Sequence, residues 1–271
     1  MKKSSRVFLT VFAAGFSLLF WASPGHPYAG GPTGFVTDAG PFCTACHSIV
    51  EARYIPEKPL IRGFKSAEDE VFENKHYKAI KEGAGNYKPM SPEDRQKLLD
   101  QVQAMDANSS VSISAPTSVK PGEKIQVTVK VKGGSGPVVG VMLVDAPFRY
   151  QSRPISANGW WIVDAPKVIG PDGKEQTTWT DMRYAGLPKN VNFVLVFGVD
   201  ADVASKKFSE AQVTYTVRAP ADRGEYDLVA AFIHGTEINE TKTAEFKLPP
   251  GGGAAPSGRL RFSDIVRVKV Q

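Results

Sequence analysis

The chain changes its hydrophobic period partway along. Between about residues 66 and 105 apolar positions recur at helical spacing, and beyond residue 108 they alternate with polar ones. Ser66-Ala-Glu-Asp69 is a capping box that predicts a helix running to about Glu82, with Val71, Phe72 and Ile80 as its apolar positions. Gly83 and Gly85 end it. Ser91-Pro92-Glu93-Asp94 is a stronger helix start: the serine can cap, proline occupies the first helical position, and two acids sit at the positive end of the dipole. Leu98, Leu99, Val102 and Met105 follow on one face, which predicts that face as buried.

After Asn108-Ser-Ser the period becomes two. Residues 111–114 alternate, Pro121-Gly122 turns the chain, and residues 125–131 (Ile-Gln-Val-Thr-Val-Lys-Val) alternate again. Residues 138–144, 191–199, 212–217 and 226–232 predict further strands, separated by clusters of Gly, Pro, Asn and Asp. Roughly seven strands with no intervening helical pattern predict a β-sandwich of immunoglobulin-like topology. Residues 249–258 (PPGGGAAPSG) predict a flexible linker. Residues 260–270 then alternate throughout as one amphipathic strand. That strand either folds back as an edge or final strand of its own sandwich, the simpler placement, or pairs with a second copy to give a homo-oligomer.

The N-terminus has the form of an export signal. Lys2, Lys3 and Arg6 precede an uncharged, mostly apolar run over residues 7–22, and Ser23-Pro24-Gly25 turns the chain. The run is short against the roughly 20 residues that a bilayer span needs, so cleavage after residues 1–29 is expected, with retention as a membrane anchor the alternative. Residues 30–42 are a Gly/Pro-rich lead-in. The resulting division is 1–29 signal, 30–107 first domain, 108–248 sandwich, 249–259 linker and 260–271 C-terminal strand. The expected location is exported, either periplasmic or at the cell surface.

Composition narrows the function classes. With 42% hydrophobic and 23% charged residues the chain is globular, neither a disordered tail nor a multi-span membrane protein. The net charge of +5 belongs largely to the signal. Without the signal's three basic residues, 30 basic side chains face 28 acidic ones, a net +2 with no run of five Lys or Arg. That is no footprint for nucleic acid. Two cysteines exclude a disulfide-stapled fold, a four-cysteine zinc site and an iron–sulfur cluster.

Those two cysteines carry the chemistry. Cys43-Thr44-Ala45-Cys46-His47 is a C-x-x-C-H, the attachment signature of c-type haem. Two thiols at this spacing can form thioethers with the two vinyl groups of one haem, and the adjoining imidazole falls under the iron. One motif predicts one covalently bound haem c, with Cys43 and Cys46 as its anchors and His47 as the proximal iron ligand. A thioredoxin-like site would need a βαβ unit around it, a zinc site two more ligands, and a structural disulfide would leave His47 without a role.

With this motif, residues 30–107 resemble a monohaem c-type cytochrome of class I. In that family a distal methionine follows the attachment motif in a proline-containing loop, and a terminal helix with an acidic start comes next. Lys88-Pro89-Met90 runs directly into the helix start at Ser91, so the resemblance implies Met90 as the distal iron ligand. His76 is the alternative, and an open distal site remains a third reading. The region departs from the family at Gly40-Pro41, which interrupts the place where a helix usually leads into the motif. The sandwich is similar to the Reeler family through Val119-Lys-Pro121-Gly122-Glu-Lys-Ile125, Val139-Gly140-Val-Met-Leu143 and Thr178-Trp179, patterns that many immunoglobulin-like domains share.

The expected fold class is therefore α+β multidomain: a small helical cytochrome domain followed by an all-β immunoglobulin-like sandwich. The resemblance implies an electron carrier rather than an enzyme, working with redox protein partners in the cell envelope. A haem-containing structural or assembly subunit and a peroxidase-like enzyme are the alternatives. His234, at the end of a predicted strand opposite Ile233 and Ala231, reads as a surface or hydrogen-bonded residue. Trp160, Trp161 and Trp179 read as packing residues, or as a docking patch where exposed. The sandwich sequence contains no nucleophile triad, phosphate loop or metal cluster.

Overall fold

The computed structural model describes residues 48–49, 72–147, 152–177, 191–236 and 258–271. The strands assemble into a seven-stranded and a six-stranded sheet, with a separate hairpin of β10 (Ala201–Asp202) and β11 (Lys207–Phe208). The smaller of the two main sheets contains β2 (Ser110–Ser114), β4 (Lys124–Lys132), β12 (Glu210–Arg218), β7 (Lys167–Ile169) and β8 (Glu175–Gln176) in that order, with β6 (Trp161–Ile162) also on β12. Its two long strands alternate as their sequence requires. Val127 and Val129 of β4 lie opposite Tyr215 and Val213 of β12, all fully buried, while the intervening lysines and threonines stay at least partly accessible.

The larger sheet is built around β13 (Gly224–Gly235). One edge of β13 pairs with β5 (Ser135–Val144), and β5 in turn pairs with β9 (Phe193–Phe197). The other edge is shared by β14 (Arg259–Phe262) and β15 (Val266–Val270), which are flanked in parallel by β1 (Ser48–Ile49) and β3 (Ser118–Val119) respectively. As the inner strand of its sheet, β13 is buried on both faces from Leu228 to Gly235. The Tyr215 hydroxyl of β12 donates across the core to the carbonyls of Val141 and Asn192, joining the two sheets, and the Asn192 amide donates to the Leu143 carbonyl within the larger one.

The C-terminal segment folds back into its own sandwich, but not as the single alternating strand that its sequence predicts. Phe262 lies opposite Ala231 and Val266 opposite Leu228, so three residues on one side face two on the other. This is a β-bulge at 263–265. Its hydrogen bonds are supplied locally. Ser263 N–H donates to the Ala230 carbonyl at 2.9 Å, and the Ser263 hydroxyl accepts from Ala230 N–H at 2.9 Å and donates to the Asp264 carbonyl. The bulge also reverses the face: Leu260 stands opposite Ile233 and Val268 opposite Tyr226, residues on opposite sides of β13.

Two helices pack beside the sandwich. Helix α1 (Phe72–Glu82) ends at Gly83, whose φ of +69° suits glycine, and a 3-10 turn at Gly85–Tyr87 leads on. Helix α2 (Pro92–Ala107) starts as its sequence predicts, with the Ser91 hydroxyl accepting from Asp94 N–H at 3.1 Å. Leu98, Leu99, Val102 and Met105 are its buried apolar side chains. The capping box at residues 66–69 lies outside the described residues, as does the signal.

Ser263→Ala removes both hydroxyl bonds of the bulge and leaves a buried amide without its acceptor. The expected loss is about 1–3 kcal/mol of stability, read as a lower urea midpoint at unchanged slope. An unchanged midpoint would show that the bulge does not need the hydroxyl.

Candidate functional site

Where α2 meets β14, a charged cluster is enclosed between helix and sheet. Arg259 opens β14 with its side chain fully buried. Its Nε and Nη2 donate to Oδ1 and Oδ2 of Asp106 at 3.0 and 2.9 Å, a two-pronged pairing that matches guanidinium to carboxylate. Asp106 is in the last turn of α2, where a carboxylate opposes the helix dipole. The compensation comes from the sheet: besides Arg259, Arg261 donates from Nη2 to the Asp106 carbonyl at 2.6 Å. The Tyr77 hydroxyl of α1 donates to Asp106 Oδ2 at 2.7 Å, so both helices share one acid.

His76 completes this cluster. Arg259 Nη2 lies 3.0 Å from His76 Nδ1, and a guanidinium can only donate. Nδ1 is therefore the acceptor, and the ring proton sits on Nε2, which donates to the Tyr87 hydroxyl at 2.8 Å. Both ring nitrogens of this fully buried imidazole are thus engaged. Met90 is partly buried against the cluster of Ile80, Tyr87, Leu98, Leu99 and Val102. Met105 is fully buried, as its helical spacing predicts.

His234 stands across the β14 register from Arg259. Of the two roles expected for it, surface or hydrogen-bonded, the structure shows the second: it is fully buried, because β13 is covered on both sides. Its Nδ1 lies 2.6 Å from the Gly235 carbonyl oxygen, which can only accept, so Nδ1 carries the proton. Nε2 is left as a bare lone pair, buried and with no hydrogen-bond partner among the described residues. Burial first, and then the positive charge of Arg261, push the imidazole pKa down to about 3, so the ring is neutral. The Phe232 ring lies beside it at 4.8 Å between centroids. Gly134 makes room on another side, since a Cβ there would fall 2.5 Å from both Cβ and Cγ of His234.

Cys43, Cys46, His47, His26 and Trp179 lie outside the described residues. Of the other tryptophans, Trp160 is in the core, edge-on to Tyr226, and Trp161 is 65% exposed. No local pattern marks Arg259, Arg261 or Tyr77 in the sequence. Asp106 did carry a signal, being an acid one turn beyond Val102 on the apolar stripe of α2.

No protein-family model matches the chain, and no curated protein does. Among the solved structures similar to it are two at 12% identity. One is the CARDB domain of a Pyrococcus furiosus protein in complex with di-metal ions, where the match covers 60% of this chain and 90% of that one at a TM-score of 0.23. The other is the C-terminal domain of the Streptococcus pyogenes antigen I/II-family protein AspA, where it covers 60% of this chain and 52% of that one at a TM-score of 0.27.

The resemblance to a class I cytochrome is corrected by the fold. The described residues form a mostly β-sandwich-like domain with two α-helices. No three His, Cys, Asp or Glu side chains among the described residues come together as a metal site. The electron-transport role that the resemblance implied loses its support with it. Among the described residues no helix is long and apolar enough to cross a membrane.

Asp106→Asn takes the counter-charge from two arginines, one of them fully buried. The expected cost is about 3–5 kcal/mol, read by chemical denaturation. Asp227→Asn, which breaks the accessible pair with Arg267 at 2.9 Å, is expected to cost under about 1 kcal/mol. Equal effects would show that the Asp106 cluster does not anchor the helices.

Proposed function

We propose that this protein is an exported, haem-bearing β-sandwich subunit that serves a structural or assembly role in a cell-envelope or extracellular complex. The observation that carries the reading is Cys43-Thr-Ala-Cys46-His47, placed between an export signal and a sandwich. The donor set fits haem c: two thiols for the vinyl groups and one imidazole for the iron. When bound, the group supplies a redox-active iron fixed covalently to the chain. The motif ends at the residue before β1, so the haem-bearing segment continues directly into a strand that pairs with β14. Backbone pairing of this kind suits a rigid mount on a sandwich more than a separate small domain. Haem attachment outside the cytoplasmic membrane agrees with residues 1–29 as a signal.

The full chain, produced in a host with a c-type haem attachment system, is expected to give a haem-stained band on a denaturing gel. Replacing Cys43 and Cys46 together by alanine is expected to abolish that band. An unstained wild-type chain of normal yield would overturn the reading.

A further inference from the structure

The six-stranded sheet has one face in the core and one outside it. Along β4 and β12 the even-numbered side chains, from Lys124 to Lys132 and from Glu210 to Arg218, point away from the core and stay exposed or half-buried. Register sets them in rows with their neighbours. Trp161 of β6 lies beside Arg218, and Arg218 beside Lys124. Two rows along, Thr214 lies between Lys167 and Thr128, and in the next row Gln212 lies beside Lys130. That end of the face is hollowed into an open groove of about 480 Å³, with Pro171 of the β7–β8 turn on one side and Ser110 and Ser112 of β2 on the other.

The charges on this face are not balanced. Lys132 and Lys167 are matched by Glu210 and Glu175 at 3.3 and 3.5 Å. Lys124, Lys130 and Arg218 have no acidic partner among the described residues. Glu123, beside Lys124, instead accepts from Lys120 N–H at 2.7 Å. The unmatched cations mark two ends of the face, since six residues of β4 separate Lys124 from Lys130, about 20 Å in an extended strand. Between them lie hydroxyls and amides (Gln126, Thr128, Gln212, Thr214 and Thr216) that can both donate and accept. Trp161 is 65% exposed, whereas Trp160 beside it is fully buried. Only one strand spacing, about 4.8 Å, sets its backbone apart from that of Arg218.

This set fits a ligand whose repeating unit carries a carboxylate on a sugar ring. An indole offers a flat apolar surface to the C–H face of a pyranose, and a guanidinium one strand away can take the ring's carboxylate through two bonds. The hydroxyl and amide side chains match the remaining sugar hydroxyls. A nucleic acid carries a charge at every residue and would call for more than three free cations over this length. A peptide would call for side-chain pockets or a free strand edge, and this is the flat of a sheet.

We propose that the outer face of the six-stranded sheet binds acidic polysaccharide of the uronate class, laid along β4 and β12 from Trp161 and Arg218 to the groove beside Lys130. The proposal goes beyond the haem reading and does not depend on it.

The test measures binding of the full chain to polygalacturonate and to alginate by affinity electrophoresis and titration calorimetry. Binding to at least one of them is expected, weakening as salt is raised. Fully methyl-esterified polygalacturonate, which keeps the backbone and loses the charge, is expected not to bind. Trp161→Ala is expected to weaken binding about tenfold or more. Lys130→Gln combined with Arg218→Gln is expected to weaken it about fivefold. Lys269→Gln, an exposed position on the other sheet, is expected to leave it unchanged. All these side chains are exposed, so urea midpoints equal to that of the wild type are expected. No binding to either polyuronate would overturn the proposal, as would equal binding to polyglutamate or single-stranded DNA. Wild-type affinity in both binding-face variants would overturn it too. Each result can be read with or without haem on the chain, so a failure here leaves the haem reading standing.

Discussion

A guanidinium with no contact to water has to find its counter-charge inside the protein, and Arg259 finds it in Asp106. Most of what lies around the helix–sheet junction follows from that pair. The helical pair buries only a small apolar cluster of its own, including Ile80, Tyr87, Leu98, Leu99 and Val102. Two short helices around so small a core are marginal alone. The two parallel bonds from Arg259 are directional, so they fix where α2 ends relative to β14 as well as holding it there. Tyr77 brings α1 to the same acid and His76 brings it to the same guanidinium, so one ion pair positions both helices.

The main strands and α2 were legible because their burial follows a period. Val127, Val129, Val213 and Tyr215 face inward at every second residue, and Leu98, Leu99, Val102 and Met105 recur on one helical face. The ion pair was not legible in the same way. Arg259 and Asp106 are 153 residues apart, and no local pattern announces a long-range partner. Only Asp106's place on an apolar stripe hinted that something had to meet it. His234 was left open between a surface and a hydrogen-bonded role for a related reason. Alternation says which side of a strand a residue occupies, but whether that side meets water depends on what covers it, and β13 is covered on both.

The bulge shows a finer failure of the same kind. Leu260, Phe262, Val266, Val268 and Val270 keep an even-numbered rhythm that reads as one face of one strand. Asp264 was the sole break in it. The inserted residue turns that rhythm over, so Leu260 and Val268 lie on opposite sides of the sheet. A periodic pattern can thus persist in sequence across a point where the structure changes phase. The class I resemblance failed differently. It joined a five-residue attachment motif to a proline–methionine loop and a capped helix, each a local feature that can occur on another architecture.

The interior position of β14 and β15 has a consequence for the order in which the chain can fold. These strands are the last of the described elements to leave the ribosome, yet they lie between β13 and the strands β1 and β3. Until they arrive, one whole edge of β13 is open, and that strand carries the apolar run Leu-Val-Ala-Ala-Phe-Ile over residues 228–233. Closing the row from Ser48 to Leu260 brings together residues more than two hundred positions apart, the kind of contact that forms late and slowly. During synthesis the molecule therefore carries an exposed, adhesive strand edge. Its protection in that interval falls to whatever holds the chain unfolded, since the fold's own cover is made last.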